Sequence, residues 1–485
     1  MLNYRIIARA FAGLIGLEGL LFLVCWLVGL GYGETHHSTW YIPIGICAAL
    51  SVILGLLGGK GPTRFERRDG FFIVAMVWLI YCALGMLPFL FGGHLHRVSE
   101  AFFETMSGFT TTGSTAFTNI DALPHSILLW RSVTHWVGGM GIIFFTLALL
   151  PALGIGEQEL FTAEATGLKL GKLHSRVNTT AHYLWSTYLF VTIACAIAYR
   201  ICGMNTFDAI NHSFAAIATG GFSTHTANIA YFHSPAIEYV SVLFMFLGAT
   251  NFTLLYFVLF KRRFKLFWRD EELRLFILLI FGFTAVCTLS QWWHSQDFTE
   301  HGFRESIFYV VSMMSTTGFT TENFMSWPHL TWISLLIVSI IGSCTGSTAG
   351  GIKVVRVLAG IKVVRNEIHH VLHPRSIRPL RINSDYITPE VLQSIFAFLC
   401  CFTVLMVIGV IVFVTLGYPV FDSLGLSISA YSNVGPGIGY SLGPLDSWSE
   451  LPDTGLWLSS FLMIAGRLEI FGLLLPFTPS FWRYN

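Results

Sequence analysis

The stretch VSMMSTTGFTTENF, residues 311–324, decides the fold. It is polar, rich in Thr and Gly, and lies between two long apolar runs. Its pattern belongs to a set of four: EAFFETMSGFTTTGST from Glu100, DAINHSFAAIATGGFS from Asp208, ESIFYVVSMMSTTGFT from Glu305 and DSLGLSISAYSNVGPG from Asp422. Each begins with an acid and reaches a glycine 13 positions later, at Gly113, Gly221, Gly318 and Gly435. The glycines recur every 97–117 residues, which marks a four-fold internal repeat.

The surroundings of these segments are membrane-like. Of 485 residues, 54% are hydrophobic and 11% charged, against about 25% charged in soluble proteins. Such a composition predicts a polytopic, all-α membrane protein. Segments long enough to cross about 30 Å of hydrocarbon fall at roughly 10–32, 40–58, 70–92, 127–150, 182–203, 236–260, 273–293, 329–358, 390–416 and 455–477, ten in all. The first has no small-residue cleavage site and reads as a retained span. Arg and Lys set the orientation. With these spans, 23 of the 28 basic residues fall on one face, among them Arg5, Arg9, Lys60, Arg64, Lys169, Lys172, Arg176, the Lys261–Arg274 cluster, the Lys353–Arg381 cluster and Arg483. Arg97, Arg131, Arg200 and Arg304 fall on the other, and Arg467 falls inside a span. Both termini are therefore expected in the cytoplasm. The four polar segments lie on the basic-poor, outer side, each between two spans. The expected units are 1–68 (a two-helix extension), 69–150, 151–268, 269–366 and 367–485 (one repeat each).

An acid followed by about ten half-apolar residues predicts a short helix with the carboxylate at its positive N-terminal end. Its length, about 15 Å, is half a membrane. The chain must then turn at mid-depth and return. Irregular backbone at that depth is tolerated only where it lines a cavity or is buried in protein. Four such hooks around one axis give rings of carbonyl oxygens able to replace the water around a bare cation. The partly negative helix ends add to the attraction.

At this point the chain resembles a known family. Helix–hook–helix repeated four times is similar to the TrkH/TrkG/KtrB potassium-uptake superfamily, which includes the plant HKT transporters. The stretches ETMSGFTTTGST, SMMSTTGFTTENF, IGSCTGSTAGGIKVVR and SNVGPGIG carry the match, and residues 10–58 resemble the extra spans of the TrkH/TrkG branch. The resemblance implies uptake of potassium across a bacterial inner membrane. It implies a filter made from the backbone at Thr111, Thr112 and Gly113; Thr219, Gly220 and Gly221; Thr316, Thr317 and Gly318; and Asn433, Val434 and Gly435. The fourth hook, with Asn433 and Pro436, departs most from the others. It also implies a homodimer and a TrkA-like cytosolic ring of nucleotide-binding regulatory domains.

Two further features lie toward the cytoplasm. The span from 329 is interrupted by GSCTGSTAGG: Gly342, Ser343, Cys344, Thr345, Gly346, Ser347, Thr348, Ala349, Gly350 and Gly351. This is the least helix-favouring stretch in any span. It reads as an intramembrane gating loop, or as a small-residue face for close helix packing. Arg467, near the middle of the last span, costs at least about 2.5–3.5 kcal/mol in hydrocarbon. It reads as a pore-lining group that pairs with the loop, or as the partner of a buried acid such as Glu18. Glu469, two positions on, lies on the wrong helix face to pair with it.

Other chemistry is disfavoured. The nine cysteines lie almost entirely in apolar stretches and read as packing residues. His369, His370 and His373 have metal-like spacing but no nearby carboxylate or Cys cluster, so no transition-metal site is expected. There is no phosphate loop, dinucleotide fingerprint or nucleophile elbow, and neither an enzyme nor a nucleic-acid binder is expected. No cofactor is expected; potassium is cargo. One rival stays open, a proton- or sodium-coupled symporter, for which Glu18 and Glu469 are the clear intramembrane acids; a membrane-embedded enzyme would need clustered His, Asp or Ser inside the spans, and there is none, while the two N-terminal spans and short loops argue against the translocating subunit of an ATP-driven pump.

Overall fold

Apolar runs become helices here because in hydrocarbon a segment must satisfy its own backbone N–H and C=O groups. The computed structural model describes residues 2–59, 67–141, 177–296, 299–375, 378–383 and 385–483. Lys60, Arg64, Lys169, Lys172, Arg176, the end of the expected 127–150 span and the expected boundary at 150/151 lie outside the described residues. In chain order the main helices are α1 (Tyr4–Gly31), α2 (Ser38–Gly58), α3 (Arg67–Gly85), α4 (Val98–Phe109), α5 (His125–Gly139), α6 (Val177–Ile201), α7 (Thr206–Ile217) and α8 (Pro235–Gly248). They continue as α9 (Glu271–Ser295), α10 (Glu300–Met314), α11 (His329–Ile341), α12 (Val354–Leu372), α13 (Pro389–Thr415), α14 (Val420–Tyr431) and α15 (Asp453–Arg467). Strands Arg381–Ile382 and Asp385–Tyr386 pair antiparallel in a small hairpin after α12.

Among the described residues, six helices are long and apolar enough to cross a membrane, or eight if each of two bent pairs is one span. The difference from ten has a local cause. The expected 236–260 span bends by 106° between α8 and the short helix Phe252–Leu259, and the expected 455–477 span bends by 110° after α15. Asn251 accepts the N–H groups of Thr253 and Leu254, so it caps a new helix inside the apolar run. After Arg467 the break runs through Glu469 (φ 51°) and Ile470 (φ 64°), both left-handed. The expected 329–358 span leaves helix at Gly342 and resumes at Val354.

The buried apolar side chains form two large clusters. One draws on α1–α5 and α13–α15, the other on α6–α11 with Cys344 and Val354. The short helices α4 and α14 end in the first, with Phe109 and Tyr431; α7 and α10 end in the second, with Ile217 and Met314. The seam between the two clusters is therefore where four helix C-termini meet.

Candidate functional site: four helix ends and the loop beneath them

Each short helix stops in the same way. The N–H groups of Thr112, Gly220, Thr317 and Val434 reach back to the carbonyls of Ser107, Ala215, Ser312 and Ser429 at 2.8–2.9 Å. Those of Thr111, Thr219, Thr316 and Asn433 reach Gly108, Ala216, Met313 and Ala430 at 3.1–3.4 Å. This is the Schellman stop, whose C′ residue is left-handed and is usually Gly. Here it is Thr111 (φ 56°), Thr219 (52°), Thr316 (55°) and Asn433 (57°). Three are β-branched, for which this region costs about 1–2 kcal/mol per residue. Two positions on, the chain is again left-handed at Gly113, Gly221, Gly318 and Gly435.

The hooks touch in a closed order. A Cβ on Gly113 would meet the Gly220 carbonyl oxygen at 2.0 Å; on Gly221, that of Thr317 at 2.0 Å; on Gly318, that of Val434 at 2.0 Å; and on Gly435, that of Thr112 at 2.3 Å. Hook one meets two, two meets three, three meets four, and four meets one. All twelve expected filter residues are thus brought together. They are buried, apart from half-buried Gly113.

The acceptors in this ring are unsatisfied. The carbonyls of Thr111, Thr112, Thr219, Gly220, Thr316, Thr317, Asn433 and Val434 accept no hydrogen bond from the described residues. Buried backbone groups in folded proteins pair with protein or ordered water, so these eight oxygens form one concentrated set of acceptors. Of the hook glycines, the carbonyl of Gly221 receives Asn228 Nδ2 at 3.3 Å and that of Gly435 receives Ser114 Oγ at 2.8 Å.

The side chains of the left-handed residues tie the ring to what lies beneath it. Thr111 Oγ1 accepts from Arg467 Nη1 at 3.2 Å. The hydroxyls of Thr219 and Thr348 lie 3.1 Å apart. Thr316 Oγ1 accepts the Gly350 N–H at 2.8 Å. Asn433 Nδ2 donates to Thr112 Oγ1 and to the Met463 carbonyl, both at 2.9 Å. Arg467 also donates to the carbonyls of Thr348, Gly138 (2.6 Å) and Gly139 (3.0 Å). It therefore reaches the loop and the end of α5. Glu18 is fully buried with no hydrogen-bond partner among the described residues. Glu469 pairs instead with Arg356, at the start of α12.

The loop seats in the α8 break. Ending α8 early frees the carbonyls of Gly248 and Ala249, which take the N–H groups of Thr348 (3.4 Å) and Cys344 (3.2 Å); Phe252 N–H goes to the Gly346 carbonyl at 3.0 Å. Ser343 and Ser347 hydroxyls lie 3.0 Å apart, and Ala349 O receives Lys353 Nζ. Gly342 and Gly351 lie against each other where the loop begins and ends. One oxygen of buried Glu272, at the start of α9, accepts both the Thr345 N–H (2.6 Å) and the Val355 N–H (3.1 Å). Sequence reasoning passed over Glu272, because an acid in DEEL reads as a helix-start residue. It also passed over Asn251, whose capping chemistry inside an apolar run was a usable signal.

On the hook side, a small cavity is lined by Ser114, Thr320, Asn228, Pro436, Asp446 and Trp448 and by three of the hook glycines. His225 stands at its edge, between Asp121 (2.8 Å) and Asp208 (3.1 Å) and stacked on Tyr231 at 3.5 Å. Burial pulls its pKa down, but hydrogen bonds to Asp208 and Asp121 outweigh this and hold it above 6.5.

Long apolar helices, with four shorter helices whose ends converge on one set of backbone oxygens, define an integral membrane protein. Comparison with known proteins gives the family. A profile described as the cation transport protein TrkH matches residues 36–484. The Trk system potassium uptake protein TrkH of Escherichia coli K12 is 36% identical, over 98% of this chain and 99% of its own. The TrkG protein of the same strain is 35% identical, over 99% of each. The crystal structure of the potassium transporter TrkH from Vibrio parahaemolyticus superposes with a TM-score of 0.88 at 34% identity, covering 99% of this chain and 100% of that one. The chain belongs to the TrkH family of cation transport proteins.

Proposed function

We propose that this protein admits potassium through a central pore formed by four pseudo-repeats, across the inner membrane of a bacterium with both termini in the cytoplasm. The twelve hook residues form the filter, and main-chain oxygens take the place of the ion's water. The loop 342–351 and Arg467 form the gate. By family likeness the protein works as a homodimer under a cytosolic nucleotide-binding ring, and its relatives are named as potassium uptake proteins of the Trk system. One observation carries the reading: eight buried carbonyls without donors, on four hooks that touch in a closed order. A buried polar cluster of this kind is costly unless a cation satisfies it.

The test is flux in liposomes under an imposed potassium gradient. Downhill flux that needs neither proton nor sodium and vanishes in Gly318→Ala supports the channel reading. Flux that requires a proton or sodium gradient selects coupled symport instead.

A further inference from the structure

We propose that four buried carboxylates, Glu104, Asp208, Glu305 and Asp422, are positioning residues of the filter: each clamps the returning leg of its own hook to the short helix that leads into it. This rests on the filter reading above. In hook one, Glu104 Oε2 accepts Thr115 Oγ1 (3.0 Å) and the Ala116 N–H (2.7 Å). In hook two, Asp208 Oδ1 accepts Thr224 Oγ1 at 2.6 Å, and its other oxygen faces His225. In hook three, Glu305 Oε2 accepts Thr321 Oγ1. In hook four, Asp422 accepts the N–H groups of Tyr440 (3.0 Å) and Ser441 (2.8 Å). The four residues are at most 3% exposed.

The alternative is that these acids only complement the helix dipole, as their spacing in the sequence suggests. The geometry separates the two roles. A dipole needs an acid in the first turn, and α4 and α10 already have one in Glu100 and Glu300. Glu100 is the acid 13 residues before its glycine, yet it pairs with Arg97 and leaves the clamp to Glu104 one turn deeper. Glu305 likewise lies beyond the first turn of α10. What the four share is therefore the return leg and not the helix start. In hooks one to three the clamped groups lie two or three residues past the glycine. In hook four they lie five and six past it, after the Pro436–Gly437 detour.

The first clamp also reaches its neighbour. Arg131, 1% exposed, donates Nε to Glu104 at 2.8 Å and Nη1 to the Ser223 carbonyl of hook two at 2.9 Å. A carboxyl oxygen accepts hydrogen bonds from backbone N–H and hydroxyl donors alike. Anchored on a helix, it fixes the separation of the descending and returning strands. That separation sets how far the carbonyls stand from the axis, and hence which ion fits without its water.

The experiment measures the potassium-to-sodium flux ratio of the full-length protein in liposomes. Thr321→Val deletes the donor to Glu305, Thr321→Ser keeps it, and Glu305→Ala removes the acceptor. Thr321→Val and Glu305→Ala should each lower the ratio by about five-fold, the size of one modest hydrogen bond, while potassium flux persists and Thr321→Ser retains the wild-type ratio. A purely structural cap would change yield and thermal stability but leave the ratio alone. Should Glu305→Ala fail to fold, Thr321→Val and Thr224→Val decide the matter. An unchanged ratio in folded Thr321→Val and Thr224→Val overturns the clamp. Gly318→Ala distinguishes the two levels of failure: if it abolishes selective flux while the clamp variants are silent, only the clamp is wrong; if it too is silent, the filter reading falls and the clamp falls with it.

Discussion

A left-handed threonine is costly, and this molecule places three at equivalent helix ends with an asparagine at the fourth. Backbone strain of this kind persists only where the surroundings over-determine it. Here the hydroxyls of Thr111, Thr219 and Thr316 are held by Arg467, Thr348 and the Gly350 N–H. The glycines two positions on are equally constrained, by space as well as by angle. Gly318→Ala would put a methyl 2.0 Å from the Val434 oxygen at a backbone φ of 75°, and neither the angle nor a main-chain neighbour can give cheaply. The expected result is loss of selective flux and destabilisation by about 1–3 kcal/mol or more. Gly360→Ala, inside α12 with no heavy atom within 4 Å of its Cβ position, should instead stabilise by about 1 kcal/mol. Thermal denaturation of the two variants beside the wild type checks both. His225 carries a pH dependence. Its folded pKa is raised above 6.5, so the stability it contributes is fully present below about pH 6.5 and is lost as pH rises through the higher folded value. Among the described residues, Asp121, Asp208, the stacked Tyr231 and the ring of His212 are the titratable groups around it. Melting temperature should fall with rising pH across that window, and His225→Gln should flatten the slope.

At the scale of elements, the breaks belong together. The α8 break exists as a seat: three backbone groups that it frees are bonded by the loop after α11. The break after α15 supplies Arg467 to the middle of that loop and Glu469 to Arg356 beyond its end. One oxygen of Glu272 holds Thr345, inside the loop, to Val355, just beyond its end. Glu272→Ala leaves the N–H of buried Val355 without an acceptor, worth about 1–3 kcal/mol, and that of half-buried Thr345 as well. It should loosen the loop before it unfolds the protein. Cys344, 1% exposed, is a built-in reporter: in a variant with Cys344 as its single cysteine, thiol labelling should accelerate several-fold with Glu272→Ala. Unchanged labelling would mean that the carboxylate does not hold the loop. Arg467→Ala should raise ungated potassium flux, because the guanidinium that joins Thr348 to the ends of α4 and α5 is gone; flat or lower flux from folded protein would remove Arg467 from the gate. The loop was legible because Gly, Ser and Thr crowd an apolar span. The bends after α8 and α15 were not. A hydropathy window averages across a break, and Ile470 in a left-handed conformation runs against every local preference of a β-branched residue. The partner of Glu469 was equally hidden, since Arg356 lies 113 positions away.

For the whole molecule, composition and the acid-to-glycine period made the membrane class and the four hooks readable, because both are repeated signals. The clamp at Glu104 escaped notice for the opposite reason: the period pointed to Glu100, and only the packed geometry reveals which acid faces the return leg. The same geometry has a thermodynamic consequence. On the filter reading proposed above, an ion coordinated by the eight hook carbonyls is a ligand of the native fold alone. Ligand binding to the native state stabilises by RT ln(1 + [L]/Kd), about 2.7 kcal/mol at a hundredfold excess over Kd. Purified protein in detergent should therefore melt at higher temperature as potassium replaces a large organic cation at constant ionic strength. Sodium and lithium, which fit carbonyls spaced for potassium less well, should raise the melting temperature less. Gly318→Ala, which forces the Val434 oxygen to move, should melt at one temperature whatever the cation, whereas Gly360→Ala should keep the full response. A wild-type melting temperature indifferent to potassium up to molar concentration would mean that those oxygens bind no ion, and the pore would need another means of stripping its cargo of water.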